Sequence, residues 1–119
     1  MEWKEILKLY GFAFKKQWGQ NFLTDGNLLS AIVQDAGVTS ETTVLEIGAG
    51  AGTLSRAIAK RARRLCAFEI DETLFPILDE TLDGLDNVQL FSNNVLELGV
   101  ETVDMLIGEP YIVIANLPY

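Results

Sequence analysis

Apolar residues recur along this chain either at helical spacing or in short uninterrupted runs. Helical spacing first predicts a short amphipathic helix near the start of the chain, which ends at Gly11. It then predicts a second helix, capped by Thr24 or Asp25 and ended by Gly37. The apolar positions are Trp3, Ile6, Leu7 and Tyr10 in the first helix, and Leu28, Leu29, Ile32, Val33 and Ala36 in the second.

After the second helix, the pattern changes to strands that alternate with helices. Short apolar runs predict four strands, over 43–47, 65–70, 88–91 and 112–115, and the second of these ends at Glu69. Such alternation implies right-handed crossovers and parallel strands. The sequence therefore predicts an α/β fold with an open parallel sheet and a ligand at the carboxyl ends of its strands.

Three further helices are expected between these strands. The first carries Leu54, Ala57 and Ile58 and continues to about Ala62. The second begins with Asp71 as its cap and ends at Gly84; its apolar positions are Leu74, Phe75, Ile77, Leu78 and Leu82. It contains Pro76, which fits a first helical turn but removes a hydrogen bond deeper in a helix. The region 99–107 is predicted to be a short helix or a turn.

Composition limits the class of protein. The chain has 119 residues, 49% of them hydrophobic and 22% charged, which predicts one packed domain. It has no apolar run of membrane-spanning length, no secretory signal pattern and a single cysteine, Cys66, so a reducing cytoplasm is expected. The absence of histidine excludes His-dependent triads and His-ligated zinc, and we predict no metal site.

The chain is acidic, with a formal charge of −8 and a sequence pI near 4.4. This charge argues against nucleic-acid binding by this chain on its own, because nonspecific phosphate binding needs a basic surface. Basic residues nevertheless cluster in one short stretch, which is either a solvated helix face or an RNA contact. The cluster consists of Arg56, Lys60, Arg61, Arg63 and Arg64.

A glycine-rich loop, Gly48-Ala49-Gly50-Ala51-Gly52, joins the first predicted strand to the next helix. Glycine in such a turn permits positive φ and close approach of a ligand, although a tight turn without a ligand has the same pattern. Glu69 ends the next strand, where its carboxylate can accept both hydroxyls of a ribose. Glu46 lies just before the loop, where it suits a cationic ligand or stiffens the loop by hydrogen bonds to its amides.

These carboxylates favour S-adenosylmethionine over NAD as the cofactor. The dinucleotide fingerprint needs its third glycine one position later, where this chain has Thr53. A pyrophosphate is also repelled by Glu46. S-adenosylmethionine instead carries a sulfonium and an ammonium group and no phosphate, which fits a carboxylate-rich site.

The tetrapeptide Asn116-Leu117-Pro118-Tyr119 follows the fourth predicted strand directly. The Asn116 side-chain carbonyl and the Leu117 main-chain carbonyl can accept hydrogen bonds from an exocyclic adenine amine and turn its lone pair toward a methyl donor. Pro118 fixes the chain direction, and Tyr119 can stack on a base lifted out of its helix. An ordinary strand-ending turn has the same residue types.

The chain closely resembles the small-subunit ribosomal RNA adenine-N6,N6-dimethyltransferases. The matching segments are Gly19-Gln20-Asn21-Phe22-Leu23, Val44-Leu45-Glu46-Ile47 with the glycine loop, Phe68-Glu69-Ile70-Asp71 and Ala115 with the tetrapeptide. The resemblance implies a Rossmann-like class I methyltransferase fold, S-adenosylmethionine as cofactor, and small-subunit rRNA or the pre-ribosomal small subunit as partner. It implies a product with two dimethylated adenosines near the 3′ end of that rRNA.

The resemblance also implies which residues line the cofactor site. They are Asn21, Leu23, Gly48, Glu69, Asn94 and Asn116, to which Glu46, Gly50 and Ile70 are added as candidates. Segment 20–23 can alternatively be a plain loop with Phe22 and Leu23 in the core. Family members usually have Pro at Ala49 and Asp at Asn94, and the missing charge at Asn94 predicts weaker cofactor binding.

The family continues past the tetrapeptide with more strands and a helical domain. We therefore expect residues 1–119 to be the S-adenosylmethionine-binding half of the methyltransferase domain, with a truncated sheet and poor catalysis alone. The exposed fourth strand predicts self-association. Two other interpretations remain: a large-subunit rRNA adenine dimethyltransferase of the antibiotic-resistance type, and a non-catalytic fragment that binds nucleoside.

Overall fold

The computed structural model describes residues 26–115. The predicted first helix, Asn21 and Leu23, and the tetrapeptide 116–119 lie outside the described residues. In chain order the elements are α1 (Gly26–Asp35), β1 (Thr43–Ile47), α2 (Thr53–Arg61), β2 (Arg64–Phe68), a 3₁₀ turn (Glu72–Leu74), α3 (Phe75–Thr81), β3 (Val88–Phe91), α4 (Val95–Leu98), α5 (Val100–Ile107) and β4 (Ile112–Ala115).

The four strands form one parallel sheet in the order β3-β2-β1-β4. Ile47, the last residue of β1, pairs with Phe68 of β2 and with Ala115 of β4, and Phe68 pairs in turn with Phe91 of β3. All four strands therefore end at the same side of the sheet. The predicted open parallel α/β architecture is confirmed.

Helices cover both faces of the sheet, so the strands are apolar on both sides as parallel strands require. Val44, Leu65 and Ile114 face a core that includes apolar residues of α1, α2 and α3. Leu45, Phe68 and Val113 face a second core that includes apolar residues of α4 and α5. Full burial of each such side chain contributes about 1.5–3 kcal/mol, which makes these two cores the main source of stability.

The start of α3 explains how Pro76 is accommodated. The Asp71 carboxylate accepts a hydrogen bond from the Thr73 amide at 3.1 Å and caps the 3₁₀ turn Glu72–Leu74. The α-helix begins only afterwards, at Phe75, which places Pro76 within its first two residues. At this position a helix has no intrahelical partner for the missing N–H.

Two expectations about this part of the chain are corrected, and one helix was not expected. β2 ends at Phe68, so Glu69 and Ile70 lie beyond the strand, although the Glu69 amide still donates to the Phe91 carbonyl at 3.0 Å. Ile77, expected as an apolar position of α3, is 45% exposed. The short helix α4 was not predicted, because four residues are too few to show helical periodicity.

The amino ends of the strands are tied together by Arg64, the first residue of β2. Its guanidinium donates to the Ile107 carbonyl at 2.7 Å, to Glu109 at 3.0 Å and to the Gln89 side chain. Arg63 lies 3.4 Å from the other oxygen of Glu109. These hydrogen bonds lower the pKa of Glu109, chiefly through Arg64. We call this group, Arg63, Arg64, Gln89 and Glu109, the amino-end network.

None of the helices between residues 26 and 115 is long and apolar enough to cross a membrane.

Candidate functional site at the carboxyl end of the sheet

The strand register brings several predicted site residues to one end of the sheet. Gly48 directly follows β1, Glu69 directly follows β2, and Asn94 lies three residues after β3. Ala115, which precedes Asn116 in the chain, is paired with Ile47, the residue before Gly48. We call the group of Glu46, Gly48, Gly50, Glu69 and Asn94 the carboxyl-end site.

The glycine loop is held by backbone hydrogen bonds to the end of β2. The amides of Gly48 and Ala49 both donate to the Phe68 carbonyl, at 2.9 and 3.2 Å. Gly50 and Gly52 have φ of 61° and 90°, which other residues adopt only with strain. A Cβ on Gly52 also meets Leu78 Cδ2 at 2.8 Å. A side chain at position 52 would therefore push on α3, and glycine lets the loop pack closely against this helix.

Glu69 fastens the same loop through its side chain. Its Oε1 accepts a hydrogen bond from the Gly50 amide at 2.7 Å, and its Oε2 accepts one from the Asp71 amide at 3.0 Å. The residue is only 9% exposed. A carboxylate has about four lone-pair sites, so each oxygen can still accept one more hydrogen bond. This arrangement orients an anionic acceptor between the loop and the end of β2.

Glu46 has no solvent exposure and faces the first turn of α2. Its Oε1 accepts a hydrogen bond from the Ser55 hydroxyl, whereas Oε2 has no hydrogen-bond partner among residues 26–115. Burial raises the pKa of Glu46 from 4.5 to about 8; the bond from Ser55 opposes this rise and the nearby Glu69 charge adds to it. A buried carboxylate without a compensating donor is costly, so the isolated group favours its neutral form near pH 7.

These contacts count against one of the two roles weighed for Glu46, the stiffening of the glycine loop. In the part of the chain that the structure describes, Glu46 does not bind the loop amides; Glu69 holds Gly50 instead, and Glu46 binds Ser55. Ser55 was not recognised from the sequence. The sequence feature that could have identified Ser55 is a small polar residue on the apolar face of α2, between Leu54 and Ile58. The helix follows shortly after the strand that carries Glu46.

Two further predicted residues lie beside this group. Ile70 is 63% exposed although it is a large apolar residue, and it follows Glu69 directly. Asn94 begins α4, where its Oδ1 accepts a hydrogen bond from the Leu96 amide at 3.1 Å. Because Oδ1 caps the helix, the side-chain NH₂ of Asn94 is the group without a bond to described residues. Within the described range no cluster of three acidic or cysteine side chains is arranged to hold a metal ion.

Comparison with known proteins places this arrangement in a family. The family profile described as ribosomal RNA adenine dimethylase matches residues 11–119. The ribosomal RNA small subunit methyltransferase A of Bacillus pumilus is 51% identical over 119 residues, which cover 98% of this chain and 41% of that protein. The protein of the same name from Listeria innocua is 50% identical, in an alignment that covers 97% of this chain and 40% of that protein.

Solved structures have the same fold. The 23S rRNA methyltransferase ErmE is 31% identical, with a TM-score of 0.61 over 82% of this chain and 38% of that one. A dimethyladenosine transferase from Plasmodium falciparum is 24% identical, with a TM-score of 0.59 over 80% of this chain and 33% of that one. The expected Rossmann-like methyltransferase fold is confirmed. The chain spans about 41% of the length of the curated relatives it matches.

Proposed function

Because the chain belongs to the ribosomal RNA adenine dimethylase family, we propose that it is the S-adenosylmethionine-binding half of an rRNA adenine-N6,N6-dimethyltransferase. The enzyme transfers methyl groups to the exocyclic amine of adenosines in small-subunit rRNA, in the cytoplasm. The small-subunit branch is favoured because two relatives named for that subunit are 51% and 50% identical, whereas the 23S enzyme is 31% identical.

The observation that carries this proposal is the convergence of the glycine loop and Glu69 at the carboxyl ends of adjacent strands. The Glu69 carboxylate, fixed by two backbone amides, retains acceptor sites for the two hydroxyls of a ribose. Gly48 and Gly50 let the backbone approach the methionine part of the cofactor, and exposed Ile70 offers an apolar surface to its adenine ring. A cofactor that carries two positive groups and no phosphate suits this site, because a cation bound close to Glu46 favours the charged form of its carboxyl group.

In this proposal Asn94 Oδ1, which has a second lone pair beside the bond from the Leu96 amide, accepts a hydrogen bond from the adenine amine of the cofactor. Asn21, outside the described residues, contacts the methionine end, and Leu23, also outside them, lines the cofactor site. S-adenosylmethionine supplies an electrophilic methyl group. Asn116 and the Leu117 carbonyl accept hydrogen bonds from the target amine and direct its lone pair at that methyl group. Pro118 sets the chain direction, and Tyr119 stacks on the flipped base. Support for this placement is the pairing of Ala115 with Ile47, since consecutive Cα atoms are only about 3.8 Å apart.

Calorimetric titration of the chain with S-adenosylmethionine tests the cofactor proposal. We expect saturable one-to-one binding that weakens in Glu69→Gln and is unchanged in Glu41→Gln, an exposed control at the other end of β1. Transfer of labelled methyl groups to 16S-type rRNA, read out by primer extension, tests the target. Absence of cofactor binding contradicts the proposal, and methylation of large-subunit rRNA alone contradicts the choice of substrate.

We further propose that the chain self-associates through β4. Among the described residues β4 pairs only with β1, and it is apolar throughout. An edge strand with free backbone groups and apolar side chains is a template for pairing with another chain. Sedimentation velocity over a wide range of concentrations is expected to reveal reversible dimers. A monomer at every concentration contradicts this proposal.

A further inference from the structure

The five basic residues between positions 26 and 115 are neighbours in the sequence, but the fold separates them into two sets. Arg63 and Arg64 form ion pairs with Glu109 at 3.4 and 3.0 Å. The other three, Arg56, Lys60 and Arg61, line a groove of about 390 Å³ between α1 and α2. We call this groove, with its three cations, the α1–α2 groove.

Among the residues that the structure describes, none that lines the α1–α2 groove has a carboxylate side chain. Its other polar side chains are the hydroxyls of Ser30 and Thr53 and the amide of Gln34. This composition contrasts with the chain as a whole, which has 17 acidic and 9 basic residues. Three cations with hydroxyl and amide neighbours form a local positive surface on an acidic protein, which is the charge that complements a phosphate-bearing ligand.

Two of the cations are held in place by neutral groups and form no ion pair within the described range 26–115. Arg56 Nη1 donates to the Thr81 carbonyl at 2.8 Å, and Arg61 Nε donates to the Val38 carbonyl. A guanidinium has five N–H donors, so each side chain keeps most of its donors after this bond. Because a neutral carbonyl is the partner, the positive charge stays available. The side chains are also preorganised, which reduces the entropy lost when they bind an anion.

The groove begins next to the carboxyl-end site. Thr53, one of its lining residues, is the first residue of α2 and follows the glycine loop directly. A polyanion in the groove therefore runs along α2 toward the proposed cofactor site. This position suits the substrate strand on one side of the target adenosine.

We propose that the α1–α2 groove binds the phosphodiester backbone of the RNA substrate. The inference rests on the proposed function, because it takes RNA as the substrate. Contacts of this kind position a strand and do not read its sequence. Recognition of the target adenosine is therefore left to the carboxyl-end site, and the groove sets how the strand lies across the domain.

A matched pair of single-charge variants tests this proposal. Lys60 and Arg63 are both exposed, and Lys60 has no ion pair with a carboxylate in the described range. Lys60→Gln removes a charge from the groove, and Arg63→Gln removes the same charge outside it. The affinity of the chain for a labelled oligonucleotide of small-subunit rRNA sequence is measured by fluorescence anisotropy at several salt concentrations.

We expect Lys60→Gln to reduce the slope of log K against log salt by about 1, and Lys60→Gln with Arg61→Gln by about 2. Arg63→Gln should leave the slope unchanged. Equal slopes for Lys60→Gln and the wild type, or no RNA binding by the wild type, overturn the proposal. Equal affinity for polyglutamate or for phosphatidylserine vesicles overturns the assignment to RNA.

Cofactor titration of the same variants separates this inference from the proposed function. Lys60→Gln should bind S-adenosylmethionine as the wild type does. If neither the wild type nor any variant binds the cofactor, the methyltransferase proposal fails. The salt dependence of RNA binding is measured separately and is not changed by that failure. If the cofactor binds and the salt slopes are equal, only the groove proposal fails.

Discussion

The two ends of the sheet differ in how their charged side chains are paired. In the amino-end network, the Arg64 guanidinium is shared among Glu109, Gln89 and the Ile107 carbonyl, and Glu109 is flanked by two arginines. In the carboxyl-end site, Glu46 is fully buried and its Oε2 has no hydrogen-bond partner among residues 26–115, and within the same range Glu69 is held by neutral backbone amides. The arginines at the amino end are paired with a carboxylate, whereas among residues 26–115 no ion pair forms with the carboxyl groups at the other end.

This difference distinguishes residues that stabilise the fold from residues that are available to bind a ligand. A network of paired side chains stabilises the folded chain and does not contribute to cofactor binding. Buried carboxylates without cations cost stability and favour binding of a positively charged group. Substitution of Arg64 at the amino end should therefore change stability without changing cofactor binding, whereas substitution of the carboxylates at the carboxyl end should change ligand binding or the pH dependence of stability.

The largest expected effect is the pH dependence caused by Glu46. Its pKa is raised from 4.5 to about 8 in the folded chain. The folded state therefore holds a proton that the unfolded state releases, and stability falls as pH rises from 4.5 to 8 and is constant above. The loss is at most ~1.4 kcal/mol per pH unit. Urea unfolding should show this slope in the wild type and a flatter profile in Glu46→Gln.

Glu41→Gln, an exposed residue before the same strand, is the control and should keep the wild-type slope. A slope that persists in Glu46→Gln means that Glu46 is not the group that holds the proton.

The second prediction concerns Gly52, whose Cβ position lies 2.8 Å from Leu78 Cδ2. Gly52→Ala adds left-handed backbone strain and overpacking, so we expect a loss of about 2–3 kcal/mol in unfolding free energy. Gly84 has φ of 83° and open space at its Cβ position. Gly84→Ala should therefore cost only the backbone strain, about 1–2 kcal/mol. Equal losses for the two variants contradict the packing role of Gly52.

A reciprocal pair of variants tests the contrast between the two ends directly. Glu69→Gln replaces a charged acceptor with a neutral one, so the Kd for S-adenosylmethionine should rise roughly tenfold to a hundredfold. Arg64→Leu breaks the amino-end network and should cost about 1–3 kcal/mol of stability with an unchanged Kd. Calorimetry and urea unfolding on both variants measure this. A large change in Kd for Arg64→Leu breaks the comparison.

The smallest expected effect is a gain of affinity in Asn94→Asp. The carboxylate keeps the bond from the Leu96 amide and offers a charged acceptor to the cofactor's adenine amine. Charge-assisted bonds are roughly twice as strong as neutral ones, which corresponds to about a fivefold lower Kd. Asn93→Asp, an exposed neighbour, makes the same charge change as a control. No gain, or the same gain in Asn93→Asp, counts against this role.

Much of the fold could be predicted because local signals agreed with the tertiary structure. Three strands, Thr43–Ile47, Val88–Phe91 and Ile112–Ala115, have the predicted bounds. Each is a short apolar run bounded by turn residues, which is a local property. The end of β2 was predicted too late because the run of strand-like residues continues to Ile70, whereas the strand ends at Phe68 and Glu69 keeps only one hydrogen bond to Phe91. The start of the helix around Pro76 could not be predicted, because it depends on the 3₁₀ turn that precedes the helix.

The candidate site was predictable in its residue types but not in its bonds. Glu46, Gly50 and Glu69 stand out in the sequence because acidic and glycine residues interrupt apolar strands. Which carboxylate binds the loop depends on how α2 packs on the sheet, and this puts Ser55 beside Glu46 and leaves Gly50 to Glu69. The separation of Arg63 and Arg64 from the α1–α2 groove likewise depends on where α2 ends, at Arg61.

The central claim is that the cofactor binds at the carboxyl end of the sheet, and hydrogen–deuterium exchange tests its location directly. Addition of S-adenosylhomocysteine, the product form of the cofactor, should slow amide exchange in segments 48–52 and 69–71. Exchange in segments 62–64 and 107–111, at the amino end, should be unchanged. Protection confined to the amino end, or none in the glycine loop at saturating ligand, contradicts the account.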